Sequence, residues 1–203
     1  MLPLNNTFHD QYEQIEPVRI ESGEIFENDP ERDRKLPRRR LARERVMQML
    51  YAHEIGQRDM NSLFFELIQK DLSKDETALE FARDLTLKLT THREEIDHLI
   101  TDKLRHWDFR RVALIDRLLI QMGITELMYF PEIPPKATIN ELIEIAKDYS
   151  TDESGKFING ILHAVMIHLR EAGTLNKSGR GLLDRSSSGK WIADTEESIE
   201  NEE

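Results

Sequence analysis

The stretch from Val112 to Met128 is apolar on most of its faces: Val112, Leu114, Ile115, Leu118, Leu119, Ile120, Met122, Ile124 and Leu127 leave little side for water. A helix of that kind is stable only when other helices surround it, so the chain must build a bundle around this segment. Asp108 is placed to cap its start, while Pro131, Pro134 and Pro135 end it and force a loop.

The flanking segments supply the other helices. After Pro37, Ala42, Val46, Met49 and Leu50 recur at helical spacing as far as Gly56, a C-terminal stop. Leu63, Phe64, Leu67 and Ile68 mark a short second helix. Ser73-Lys74-Asp75-Glu76 has capping-box spacing and opens a stripe from Ala78 to Leu104, so long that a break is expected near Thr90-Thr91-His92. Thr138-Ile139-Asn140-Glu141 is a second capping box, and Ser154 is placed to cap a last helix carrying Ile158, Ile161, Leu162, Val165 and Leu169 and stopping at Gly173. No segment alternates with period two. The expected fold is all-α, with about six or seven helices in two small bundles that meet at the central helix.

Domain boundaries follow from charge and periodicity. Residues 1–36 and 173–203 lack either period and are rich in acidic and small polar residues, so both are expected to be disordered extensions of a helical domain spanning 37–172. The chain carries 39 acidic and 28 basic side chains, a net charge of −11. Within it, Arg32 to Arg45 gathers Arg32, Arg34, Lys35, Arg38, Arg39, Arg40, Arg43 and Arg45 against only Asp33 and Glu44, a local basic cluster in an acidic chain. The acids from Glu24 to Asp33 stand immediately before it and either shield it or serve only as a solubilising extension.

Several chemistries find no support. The absence of cysteine removes disulfides, thiol nucleophiles and thiolate metal sites, and no apolar run approaches the ~18 residues of a membrane span. With no secretory signal either, an intracellular, cytoplasmic protein is expected. His92 and His98 are six apart and His163 and His168 five, which does not place two imidazoles on one helical face. No nucleophile elbow, phosphate-cradling glycine loop or dinucleotide fingerprint occurs, so neither catalysis nor a cofactor is expected.

Two features point to binding. Arg40, Met47 and Tyr51 fall on one line of the first long helix, away from the stripe centred on Val46, with Arg40 and Tyr51 about 16 Å apart. A basic start followed by an outward ring suits single-stranded nucleic acid, which needs cations for phosphates and a surface for bases. The alternative is that Tyr51 packs under the next helix. On the last helix Phe157 lies off the buried stripe beside Lys156, in the turn whose backbone amides favour anions. It either contacts RNA or plugs the junction between bundles.

The motifs Arg38-Arg39-Arg40-Leu41-Ala42-Arg43-Glu44, with Tyr51 downstream, and Lys136-Ala137-Thr138-Ile139-Asn140-Glu141-Leu142-Ile143-Glu144-Ile145-Ala146-Lys147, followed by Ser154-Gly155-Lys156-Phe157-Ile158-Asn159-Gly160-Ile161-Leu162, resemble the bacterial transcription antitermination family NusB. The resemblance spans about Pro37 to Leu169. It implies a NusB-like fold of two three-helix subdomains that binds the boxA element of ribosomal RNA leaders together with NusE, a small-subunit ribosomal protein, and helps RNA polymerase read through terminators. By the same resemblance the RNA contacts fall on Arg38, Arg39, Arg40, Arg43, Tyr51, Lys156 and Phe157, and the partner-facing acids are Asp116 and Glu153. Glu153 stands where the family often has Asp, and Thr125 where an aromatic is common. Two rivals remain: a helical interaction module or homodimer that hides its basic face, and an enzyme-associated domain of the kind fused to RNA-methylating enzymes.

Overall fold

The structure is a computed structural model that describes residues 30–103 and 112–179. Among these residues the chain forms eight helices: α1 (Pro30–Lys35), α2 (Arg38–Gly56), α3, α4 (Glu76–Thr91), α5 (Arg93–Lys103), α6 (Leu114–Tyr129), α7 (Pro135–Tyr149) and α8 (Ser154–Glu171). Helix α3 runs through Met60–Leu63, a π-helical stretch Phe64–Gln69 and Lys70–Leu72. Helices α2, α3 and α4 pack as one three-helix unit and α6, α7 and α8 as another, with α5 against α6 and α8. The two units meet where α2 and α4 lie on α6, as the all-α expectation of two small bundles requires.

Helix α6 is buried from Leu118 through Leu127 without interruption, which places it at the centre. Helix α2 is also buried at every position from Leu41 to Ala52, so the single buried stripe expected for it does not exist. Its far side is covered by α1 and the C-terminal end of α7. Arg32 of α1 donates to Glu44 at 2.8 and 3.0 Å and to Asp148 at 2.6 Å. Asp33 pairs with Arg45, which also donates to Asp71 at 2.6 Å. Residues 30–36 therefore form a helical strap, contrary to their expected lack of structure; residues 1–29 and 180–203, the remainder of both extensions, lie outside the described residues.

Both capping boxes are corrected. Helix α4 is capped by Asp75, whose carboxylate accepts from the Ala78 amide at 3.0 Å, while the Ser73 hydroxyl turns back to the Lys70 carbonyl at 3.4 Å. Helix α7 begins three residues before Thr138, because Pro135 has the φ of a first helical turn and needs no amide partner there. Ser154 is the first residue of α8 and caps nothing; its hydroxyl faces the interior. The cap expected at Asp108 lies outside the described residues. The break at Thr91-His92 and the stop at Gly173 (φ 71) occur where the sequence puts them, whereas the left-handed residue ending α2 is Gln57, one position after Gly56.

Helices α6, α7 and α8 cross at Gly123, where an added Cβ would stand 2.6 Å from Leu162 Cδ2 and 2.8 Å from Leu142 Cδ1. Both leucines are fully buried, so neither methyl has room to retreat. Gly123→Ala is expected to lower the unfolding free energy by about 1–3 kcal/mol in urea titration; an unchanged midpoint would contradict this crossing.

Candidate functional site

The arginine cluster does not act as one patch. Arg32, Arg34 and Lys35 lie on α1, while Arg38, Arg39, Arg40, Arg43 and Arg45 lie within about two turns of α2 and so point in different directions around a helix that is almost wholly enclosed. Only the first turn projects past the enclosing helices. There Arg38 is 52% exposed, reaching Asp75 only at 3.9 Å, and Arg39 is exposed with its guanidinium 5.2 Å from the Phe81 ring centroid. That stacking holds Arg39 over an apolar base without neutralising its charge.

Arg40 is half-buried and forms a two-pronged pair with Glu141 of α7 at 2.7 and 3.2 Å, which raises its pKa. Arg43 is 3% exposed. Its Nε and Nη2 donate to Glu126 at 2.7 and 2.8 Å, and Glu126 also accepts from the Thr138 hydroxyl at 2.9 Å. Burial alone would lower the Arg43 pKa, but Glu126 more than offsets it and keeps the guanidinium charged. Arg39, Arg40 and Arg43 come together around one groove of ≈ 560 Å³, lined also by Glu132, Ile133 and Pro134 of the α6–α7 loop.

The outward line through Tyr51 is not realised. Tyr51 is only 8% exposed and packs in the core, where burial pushes its hydroxyl pKa up, and Met47 is fully buried. The cause is the packing of α3 and α4 over the face that a lone amphipathic helix would have left in water. The other expected contacts sit on the first turn of α8, outside the groove lining. Lys156 is 82% exposed and lies 3.4 Å from the exposed Glu153 carboxylate. Phe157 is half-buried, resting against the core while keeping part of its ring accessible.

Asp116, expected to face a partner, is 1% exposed. It accepts from Ser150 Oγ at 2.6 Å and Ser154 Oγ at 2.8 Å, so one carboxylate on the first turn of α6 ties the end of α7 to the start of α8. It thereby fixes the turn that presents Glu153, Lys156 and Phe157 from inside. Burial pushes the Asp116 carboxyl up and the two hydroxyls pull it part of the way back.

Sequence reading missed Phe81, Glu126 and Glu141. Glu126 carried a usable signal: an acidic residue near the end of an otherwise apolar central helix needs a buried cation. Phe81 and Glu141 carried none, since each sits on an ordinary amphipathic helix.

Fold and site define a small all-helical module with a basic rim at one helix start. The NusB family model matches residues 40–166, and the chain belongs to that family. It is 43% identical over 145 residues to the transcription antitermination protein NusB of Salinibacter ruber, covering 71% of this chain and 91% of that protein. It is 39% identical over 155 residues to the NusB of Chloroherpeton thalassium, covering 76% and 74%. Among solved structures, T. maritima NusB matches with a TM-score of 0.60 at 36% identity over 66% of this chain and 92% of that one. A structure of the antitermination factors NusB and NusE in complex with double-stranded RNA matches with a TM-score of 0.59 at 27% identity, covering 64% and 97%.

Arg43→Ala would leave Glu126 buried without its cation and should lower the unfolding free energy by about 3–5 kcal/mol, whereas Arg39→Ala should cost less than about 1 kcal/mol. Denaturant titration distinguishes them, and equal losses would refute the division between rim and interior. Because the Asp116 pKa is raised on folding, its contribution to stability is complete below the ordinary carboxylate value of about 4 and is lost as pH rises through the folded-state value. Asp116→Asn should therefore gain stability relative to the parent as pH rises above about 4; a difference independent of pH would contradict the raised value.

Proposed function

We propose that this protein is a cytoplasmic, non-enzymatic transcription antitermination factor that binds boxA RNA of ribosomal RNA leaders jointly with NusE and promotes read-through by RNA polymerase. The observation that carries the reading is the exposed Arg38–Arg39 pair at the N-terminus of α2, held beside an open groove and set on a NusB-family fold. The named relatives are antitermination proteins, and a matching structure joins NusB, NusE and RNA. No helix among the described residues is long and apolar enough to cross a membrane.

We place the RNA-binding domain at residues 37–172, with α1 and residues 174–179 seated on it. Arg38, Arg39 and Arg40 take phosphates, with Arg40 exchanging Glu141 for the strand, while Lys156 adds a cation and Phe157 a stacking surface. Arg43 serves from the interior as a support of the rim through Phe81, and Tyr51 serves from the core of the first three-helix unit. Glu153, exposed beside Lys156, remains the acid open to NusE, and Asp116 acts by holding its turn. So few phosphate contacts give weak binding alone, so NusE supplies the additional surface.

Titration of a boxA oligoribonucleotide should give much tighter binding with NusE than without it; equal affinities would overturn the joint mechanism. Arg39→Ala should weaken all single strands alike and flatten the log–log salt slope by about 0.7. Phe157→Ala should cost about 1–3 kcal/mol with the slope unchanged. Equal slope changes would refute these roles.

A further inference from the structure

The chain does not leave the fold where α8 ends. Gly173 turns it left-handed, its amide bonding the Arg170 carbonyl and the Thr174 amide that of Leu169. Residues 174–179 then return along the end of α6. Leu175 packs against the core, and the Lys177 ammonium donates to the carbonyls of Glu126 at 3.1 Å and Phe130 at 2.9 Å. Each carbonyl also accepts one backbone amide, Glu126 from Phe130 and Phe130 from Ile133, both at 3.2 Å, so the ammonium takes their second acceptor positions at a helix end whose dipole favours a cation. The Ser178 amide completes the anchorage on the Pro131 carbonyl at 2.9 Å.

This anchorage decides where the C-terminal residues start. Pro131 is followed directly by Glu132, Ile133 and Pro134, which line the same groove as Arg39 and Arg40. The chain therefore reaches Gly179 alongside that groove. Beyond it, the ten residues 194–203 contain Asp194, Glu196, Glu197, Glu200, Glu202 and Glu203 and no basic residue. The stretch from Gly179 to Asp194 spans up to about 50 Å when extended, so reach does not limit the contact. A segment tethered at this distance meets the rim at an effective concentration on the order of millimolar.

We propose that the acidic segment 194–203 occupies the Arg38–Arg39–Arg40 rim of its own chain and competes there with RNA. The proposal rests on the reading of that rim as the RNA site. The carboxylates meet the same guanidiniums that phosphates would, and RNA displaces them because each strand phosphate also releases condensed counterions. The tail thus selects against weak, non-specific polyanions, while a strand also held by NusE prevails.

The test uses the full-length chain with Asp194→Asn, Glu196→Gln, Glu197→Gln, Glu200→Gln, Glu202→Gln and Glu203→Gln together. At low salt this variant should bind a single-stranded oligoribonucleotide several-fold tighter than the parent, with the difference vanishing near 0.5 M salt, where charges are screened within about 4–5 Å. Equal or weaker binding would overturn the proposal. A fluorescently labelled peptide of residues 190–203 gives a readout without RNA: it should bind the neutralised variant and fail to bind when Arg39→Glu is added. Absence of peptide binding sinks the tail contact, whereas peptide binding without any RNA binding sinks the RNA reading of the rim and with it the competition. The gain on neutralisation should persist on dilution; if it disappears, the contact runs between copies and the intramolecular form is wrong.

Discussion

The whole arrangement turns on one ion pair that water does not reach. Arg43 and Glu126 lie on helices far apart in sequence, and neither charge tolerates burial without the other. The Thr138 hydroxyl takes a further place on the carboxylate, so α2, α6 and α7 meet at a single point with fixed register. A pair of leucines at this crossing would hold the helices together but would accept sliding by a turn. A forked guanidinium facing a carboxylate does not, because both prongs align in one geometry only.

That register has a functional consequence, since it sets how far the first turn of α2 projects beyond the bundle. Arg38 and Arg39 stand outside because Leu41 and the residues after it are enclosed. Phe81 is placed to serve both sides of the boundary: its ring lies 5.2 Å from the Arg39 guanidinium and 5.1 Å from that of Arg43. One aromatic thus links the interior pair to Arg39 of the exposed rim and restrains that guanidinium. Restraint of this kind reduces the ordering entropy that a strand must offset on binding.

The second unit uses the same device at its other end. Asp116 gathers the residue that follows α7, Ser150, and the opening residue of α8, Ser154, onto one buried carboxylate, with Thr151 joining through Ser154 at 2.9 Å. On the opposite flank α1 closes over α2, where Glu44 accepts from Arg32 and from the Tyr149 hydroxyl at 3.2 Å. There burial and the neighbouring Glu44 charge push the Tyr149 pKa up to about 12, which keeps the hydroxyl a donor throughout the neutral range. Polar contacts thus decide orientation across this fold, while the apolar residues supply the driving force.

The sequence by itself determined helices α2 to α8, the break at Thr91, the stop at Gly173 and the central place of Val112 to Met128, because these depend on periodicity and on local backbone preference; it did not show α1, which is held on the fold by contacts of Arg32 and Asp33 with distant residues. It also determined the family, through two motifs separated by about a hundred residues. It did not determine which members of the arginine cluster face water. Arg38 and Arg43 are the same residue type on one helix, and only the helices packed around α2 make one a rim cation and the other half of a buried pair. Tyr51 and Asp116 went the same way: each has a side chain suited to a surface, and each lies inside because residues distant in sequence cover it. Exposure is a property of the assembled packing and is not carried by any local stretch of chain, so a contact list drawn from sequence includes residues that tertiary structure withdraws.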